Sequence, residues 1–407
     1  MKGQTYVSGG IYSNTIWTLS NSPYVVISQL ILFPDNTLTI EPGVIVKFND
    51  GIGFECRGKL LAIGTLKDSI TFTSSSTTPN QGIWKGIVVV GTTNPLGVGN
   101  QLRMEYCKGM YATNFIDLDI AYHGPYIFNH CYFYKNLRVN YDGGMPGTYF
   151  NYCRFESNNS ALNYVQFGGR VSHSLFVNNV DGVNGFEHVD TCVFYNNTNI
   201  ALSPYGSAVG NTIYNNNIGV KCYFNSGNNT FKQNQVYYNI VGVEMLSFFN
   251  GYIQFQNNSI CNNILFNLKN SGINNAYIPN NCWCLEDSIQ IRTKIYDGYI
   301  NPSFGLVNFV PFISGCSINL GLPDSNAIYQ KLNIYPNPII RNGTINISLN
   351  KNINQGEVNV FNVMGVKVYS EFFNGTQKTI ICKLPSGVYF VQVTNGSETW
   401  TKRILIE

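Results

Sequence analysis

The stretch Cys131-Tyr-Phe-Tyr-Lys-Asn136, repeated as Cys153-Arg-Phe-Glu-Ser-Asn158, Ser174-Leu-Phe-Val-Asn-Asn179 and Cys192-Val-Phe-Tyr-Asn-Asn197, decides the fold. Each copy sets a small residue, any residue, an aromatic and then asparagine in the same order. A fifth copy is Thr212-Ile-Tyr214 with Asn217, and weaker ones start at Cys107, Gln235 and Ser259. The eight starts are separated by 24, 22, 21, 18, 20, 23 and 24 residues. A recurring period of this size marks a solenoid, in which each repeat buries its apolar face against its neighbours alone.

The contents of the repeat say which solenoid. Short β-branched and aromatic runs alternate with Gly and Asn, and no repeat offers a helical turn, which leaves a parallel β-helix. Asn136, Asn158, Asn179, Asn197 and Asn217 each fall five residues after the small residue. Asparagine tolerates the left-handed backbone region, so it suits a sharp bend between sheets. Stacking coils about 4.8 Å apart would join these amides into a ladder. Cys107, Cys131 and Cys153 share one phase and should form an inward column of reduced thiols, although a bridge between neighbouring coils lies within disulfide range.

Working outward, Thr37-Leu-Thr-Ile-Glu-Pro-Gly-Val-Ile-Val-Lys-Phe48 alternates apolar and polar residues around a turn, and Trp84-Lys-Gly-Ile-Val-Val-Val90 adds a further strand. Trp17-Thr-Leu-Ser-Asn-Ser-Pro-Tyr-Val-Val26 is expected to cap the first coil, because an open parallel edge would pair with other chains. At the far end, Leu285, Ile289 and Tyr296 fall on one helical face and predict a cap helix. The body resembles right-handed β-helix surface proteins of the pectate-lyase-like superfamily, whose Asn-Asn-Tyr-Trp-Gly terminus is matched by Asn280-Asn-Cys-Trp-Cys284. Cys282 and Cys284, which replace the usual Tyr and Gly, are expected to serve structure.

Composition agrees. Charged residues are 12% and aromatics 14% of the 407 residues, with a net charge of +3 and no basic stripe. Nucleic acid is therefore not an expected partner. No stretch reaches the 18 or so apolar residues of a membrane-spanning helix. Met1-Lys2-Gly3-Gln4 opens on polar sequence, so an exported protein is expected to have a signal peptide removed from, or missed before, this start. The eleven cysteines follow the repeat rather than a disulfide framework.

Beyond residue 330 the period stops, and Ile345-Asn-Ile347, Val358-Asn-Val360, Val366-Lys-Val368 and Val388-Tyr-Phe-Val-Gln-Val393 alternate between glycine turns. This predicts a small antiparallel β-sandwich over residues 331–407. The blocks Tyr335-Pro-Asn-Pro338, Val360-Phe-Asn-Val-Met-Gly365, Leu384-Pro-Ser-Gly-Val-Tyr-Phe390 and Lys402-Arg-Ile-Leu-Ile406 resemble, in order, a type A sorting domain of the Bacteroidetes type IX secretion system. Within them Tyr335, Pro336, Asn337, Pro338, Gly365, Gly387, Val388 and Tyr389 are the candidate sorting residues. The resemblance implies export, recognition at the outer-membrane translocon, cleavage by its sortase-like peptidase, and release or attachment at the cell surface.

Chemistry on the helix is harder to find. Lyases and hydrolases of this shape need acidic clusters for calcium or proton transfer. Asp117 and Asp119 lie 10 and 12 residues after Cys107 and Asp142 lies 11 after Cys131, so their carboxylates are expected to converge near Arg138 and Tyr141. No calcium-repeat glycine–aspartate motif accompanies them, and a solvated acidic surface explains them equally. Arg292-Thr-Lys294 sits on the cap helix, away from them. His130 and His173 share a phase two coils apart, about 9–10 Å, with Tyr152 between, too far to share a metal ion. Tyr164, Tyr205, Tyr223 and Tyr237 are candidate sugar contacts.

The expected protein is all-β: a right-handed parallel β-helix over residues 1–320, then the sorting domain over 331–407. It is expected to be a monomeric, secreted or surface-bound, adhesin-like or glycan-binding structural passenger. The alternative is a β-helix polysaccharide lyase or hydrolase. No resident cofactor is expected, with calcium at the acidic cluster as the one candidate.

Overall fold

A computed structural model describes residues 3–90, 102–120, 125–141, 147–163, 168–224, 229–248, 253–316, 332–336, 339–340, 342–362, 366–395 and 398–406. The chain divides into two compact units, Met1–Leu320 and Gly321–Glu407. The first is a parallel β-solenoid of about 11 turns. One of its sheets is 11-stranded; a second, 23-stranded, bends to supply the other two faces.

One coil shows how the repeat works. Tyr126–Asn129, Tyr132–Tyr134 and Arg138–Tyr141 are its three strands. The first bend turns at His130 and the second at Lys135, with φ of 53° and 52°. The same two positions are left-handed at Tyr152 and Ser157, His173 and Asn178, and Thr191 and Asn196 in the following coils. The left-handed residue therefore precedes the ladder asparagine instead of being it. The spacing from first bend to second stays at five residues, as in Cys131 to Asn136 and Cys153 to Asn158. Variation in period must then fall in the connection after the third strand, where a loop meets solvent and length costs little.

The ladder itself is continuous. The Asn158 side-chain oxygen accepts from the Asn136 backbone N–H at 2.9 Å and from its Nδ2 at 3.1 Å. Asn158 in turn donates from Nδ2 to the Phe133 carbonyl and to Asn179 Oδ1, at 3.1 and 3.0 Å. This unit repeats through Asn179, Asn197, Asn216, Asn239 and Asn263. Each bend is buried, so its polar groups must find partners inside the chain, and the amide column supplies them.

The column corrects the phase read from sequence. Val193 registers with Thr212, which sets Cys192 opposite Asn211 and Asn197 opposite Asn216. Asn217 is exposed and lies outside the ladder. The repeats start at Asn211, Asn234 and Asn258, one residue before Thr212, Gln235 and Ser259. There a second amide column forms: Cys192 N–H donates to Asn211 Oδ1, and Asn211, Asn234, Asn258 and Asn281 continue it. An amide does at this bend what a thiol or hydroxyl does in earlier coils. Asn211-Thr-Ile-Tyr-Asn-Asn-Asn217 is legal in either phase, and only strand pairing selects one.

Phenylalanines line the interior. Phe155, Phe176 and Phe194 stack at 4.5 and 4.6 Å with interplanar angles of 2° and 8°. Each buried ring contributes about 2 kcal/mol of hydrophobic stabilisation. Gly109 occupies the register of Phe133 because the Phe115 ring already fills that space, 2.4 Å from where its Cβ would stand. Cys107, Cys131 and Cys153 are buried free thiols, as their column predicts.

Both ends differ from expectation. Residues 17–26 do not cap the solenoid, since Thr5–Ile11 pairs outside them, with Thr5 opposite Tyr24. Trp17 instead stacks on Tyr24 at 4.6 Å. The cap helix is a short Ser288–Thr293, N-capped by Asp287, with Ile291 as its buried residue. Ile289 is 73% exposed, and Tyr296 belongs to the strand Ile295–Tyr296. At Gly86, φ is +113° and an added Cβ would stand 1.5 Å from the Asn114 carbonyl oxygen. Gly86→Ala is expected to lower the urea midpoint by the equivalent of about 3 kcal/mol or to prevent folding; an unchanged midpoint would refute this close approach.

The second unit is antiparallel. Leu332–Tyr335, Thr344–Asn362, Lys367–Ile381, Gly387–Asn395 and Glu398–Ile406 form one five-stranded curled sheet. Ile345, Ile347, Val358, Val391, Trp400 and Ile404 are buried in its own core.

Candidate functional site

The acidic cluster is partly placed. Asp117 and Asp119 lie on the strand Ala112–Ile120. Asp117 Oδ2 accepts from Asn114 Nδ2 at 3.1 Å, and Arg138 Nη1 reaches Asn114 Oδ1 at 3.5 Å. Asp117 registers with Tyr141, whose ring lies 5.5 Å from the Arg138 guanidinium carbon. Asp142 and the Asp119 side chain lie outside the described residues. The described part is thus one carboxylate, two amide or guanidinium donors and a phenol on an outer face.

A second polar group was missed by sequence reading. Arg170 registers with His188, and Ser172 with Asp190. His188 Nδ1 shares a hydrogen with Ser207 Oγ at 2.8 Å, and its Nε2 lies 3.9 Å from Glu187. Partial burial pushes the Asp190 carboxyl up, against the pull of His188 and Arg170. The signal was available, since Ser172 and Asp190 each stand two residues before the small residue of their coil. Their approach depends on the short 18-residue coil between Ser174 and Cys192.

The histidines at the bends form a column. Tyr106, His130, Tyr152 and His173 stack at 4.7, 5.0 and 4.8 Å, with planes within 3°, 9° and 23° of parallel. Tyr195, Tyr214 and Tyr237 form another, at 5.2 and 5.3 Å. Within such a column each ring face is covered by the next ring, so solvent meets ring edges. Sugars stack on aromatic faces, which removes Tyr237 (2% exposed) from the candidate contacts. Tyr205 and Tyr223 are exposed, at 47% and 52%; Tyr164 lies outside the described residues.

Polar rows run beside the first column. Asn129, Asn151 and Ser172 register on successive coils. Asn151 donates to Asn129 Oδ1 at 3.2 Å, and Ser172 donates to Asn151 Oδ1 at 2.6 Å.

The cap basic residues are committed to structure. Arg292 pairs with fully buried Asp297 at 2.8 Å and donates to the Val307 carbonyl at 2.9 Å. Its guanidinium carbon also lies 4.9 Å from the Tyr299 ring centre and 4.8 Å from that of Phe309. Lys294 donates to the carbonyls of Asn263 and Ile264. An open depression of about 490 Å³ beside Arg292 is lined also by Tyr277, Tyr299 and Leu306.

In the second unit, Tyr335 is 51% exposed at its strand end and Pro336 follows it through a cis peptide bond. Tyr389 is buried and donates to the Pro385 carbonyl at 3.0 Å. Gly387 and Val388 open the strand Gly387–Asn395. Asn337, Pro338, Gly365 and the Val388 side chain lie outside the described residues.

Comparison with known proteins places this unit. Residues 333–407 match the family described as secretion system C-terminal sorting domain. A 59-residue stretch is 36% identical to Protein bark beetle of Drosophila melanogaster, covering 14% of this chain and 2% of that protein. Such a short share carries no function across. Residues 333–407 are therefore a C-terminal sorting domain that indicates export by type IX secretion, and the β-solenoid ahead of it belongs to a secreted or cell-surface protein.

Proposed function

We propose that the exported solenoid is an adhesin-like structural protein that meets glycans through rows of amide and hydroxyl groups, and that a sortase-like peptidase of the export machinery removes the sorting domain. The observation that carries this reading is the outer surface at the first bend. Ring faces are spent on one another in the Tyr106–His130–Tyr152–His173 column, while Asn129, Asn151 and Ser172 offer polar groups at coil spacing. A regular row of donors and acceptors suits a polymer with hydroxyls at regular intervals, held by many weak contacts. The neutral surface agrees with such a ligand, since only 12% of the chain is charged.

Lysis or hydrolysis is the second reading, supported by Asp117 beside Arg138 and Tyr141. Calcium would be its cofactor at Asp117, Asp119 and Asp142. One experiment separates the two. The protein is incubated with plant and algal polysaccharides, with and without calcium, and both retention and new reducing or unsaturated ends are measured. Retention without new ends is the expected result. Turnover that disappears in Asp117→Ala or Asp142→Ala would replace the adhesin reading with the enzyme. Absence of both retention and turnover would remove the glycan from the proposal.

A further inference from the structure

Four of the eleven cysteines gather where the solenoid ends. Cys261 closes the strand Ser259–Cys261. Ser259 bridges to Cys282 and Cys282 to Ile313 in parallel register, so three successive layers meet there. Cys261 is disulfide-bonded to Cys284 and Cys282 to Cys316, across 23 and 34 residues of chain. The Cα separations of 5.5 and 6.1 Å are ordinary for such bridges.

The two bridges touch. The Cys282 sulfur lies 3.9 Å from that of Cys261 and 3.7 Å from that of Cys284. A thiolate at Cys282 would therefore sit against the neighbouring disulfide, within reach of either of its sulfurs. The other seven cysteines are buried single thiols. Burial pushes the Cys56 and Cys192 thiols up to about 12. Because the thiolate is the nucleophile, such cysteines stay silent in exchange. Reactive sulfur is confined to the cap.

We propose that Cys261, Cys282, Cys284 and Cys316 form one exchange-competent cluster that locks the C-terminal cap once the chain has left the reducing cytoplasm, its reaction partner being a disulfide-bearing oxidant. A cluster thiolate attacks the oxidant disulfide, forming a mixed disulfide and expelling one oxidant thiolate. A second cluster thiolate attacks the protein sulfur of that mixed disulfide, closes the protein bridge and expels the other oxidant thiolate. Each bridge costs the cluster two protons and passes two electrons to the oxidant. A first bridge between Cys261 and Cys282 corrects itself: Cys284 attacks the Cys261 sulfur and Cys282 leaves as a thiolate, free to pair with Cys316. That step needs no further oxidant. The completed pair fixes both the cap and the last described residue of the solenoid unit, Cys316.

The purpose suits the position. The last coil of a solenoid has no neighbour to cover it, and fraying starts at such ends. A lock formed only outside the cytoplasm leaves the chain unbridged while it is being exported.

The test uses the full chain, refolded from the reduced state with oxidised glutathione. Free thiols are counted after denaturation, and bridges are mapped by mass spectrometry after acid trapping. Seven thiols are expected, together with Cys261–Cys284 and Cys282–Cys316. In Cys316→Ser the released Cys282 should divide the remaining bridge between the Cys261–Cys284 and Cys261–Cys282 pairs, while the far-ultraviolet spectrum stays that of the wild type. A second readout is thermal: dithiothreitol should shift the melting point of the wild type downward and leave unchanged that of a variant with all four cysteines replaced by serine. A Cys316→Ser protein holding only Cys261–Cys284 would refute exchange. Eleven thiols with one tightly held zinc ion per chain would overturn the lock and make the cluster a thiolate metal site, since the sulfurs of Cys261, Cys282 and Cys284 lie within 4.8 Å of one another.

Discussion

Removing residues 333–407 is expected to abolish delivery of the protein to the outside of the cell while leaving its solenoid folded. The solenoid core runs from Trp17 to Phe309 and includes no side chain from the sorting domain. That domain packs around its own Ile345, Val358, Val391 and Ile404. Folding and address are thus carried by separate cores. Immunoblots of medium, cell surface and periplasm would show the truncated chain retained inside the outer membrane. Export of the truncated chain at the normal level would refute the assignment. Two point variants divide the cause. Tyr389→Ala removes a buried ring and its bond to Pro385, so it should unfold the domain and stop export through misfolding. Tyr335→Ala alters an exposed side chain; lost export with an unchanged melting curve would show that Tyr335 is read by the machinery.

Asn179→Ala is expected to cost the solenoid roughly 2–5 kcal/mol, read as a lower urea midpoint. The Asn179 side chain accepts from the backbone N–H and the Nδ2 of Asn158 and donates to the Phe155 carbonyl and to Asn197 Oδ1. Alanine leaves the Asn158 N–H and the Phe155 carbonyl buried without these partners, and water has no route to replace them. A change below about 0.5 kcal/mol would mean that the ladder does not hold the bend. Asn179→Asp sharpens the test, because a carboxylate accepts as before but has no proton to donate. Burial should raise its folded-state pKa above the unfolded value of about 3.9. Whatever stability that variant keeps is then fully present below pH 4 and is lost as pH rises toward the raised folded-state value. The neighbouring pair Asn216 and Asn217 tests the register. Asn216→Ala should resemble Asn179→Ala, while Asn217→Ala at an exposed position should do little.

The aromatic columns carry a more general point about candidate binding residues. Tyr195, Tyr214 and Tyr237 look alike in the sequence, yet each ring face is covered by a neighbour from the next coil. Exposure of a tyrosine on a β-solenoid is therefore a weak sign of sugar stacking when its coil neighbours are also aromatic. Isolated tyrosines such as Tyr205 and Tyr223 are better candidates.

The sequence by itself determined the architecture, because a solenoid is held by contacts between neighbouring coils and each coil must repeat the same apolar and turn pattern. The Cys131, Cys153, Ser174 and Cys192 copies, the amide at their fifth following position, and the break in period before Tyr335 were all legible along the chain. The sorting domain was legible too, since its turns and entry residues form four ordered blocks. What only the tertiary structure decided depends on which residue of one coil lies over which residue of the next. Strand pairing moved the ladder from Asn217 to Asn216, where one-dimensional spacing allowed both. It placed Asp190 beside Arg170 and His188, and it covered the faces of Tyr106 and Tyr152. It joined Cys261 to Cys284 and Cys282 to Cys316, pairings that no local spacing specifies. Side-chain chemistry on a β-solenoid is read across coils, perpendicular to the chain, and that direction is set by hydrogen-bond register between strands rather than by distance along the sequence.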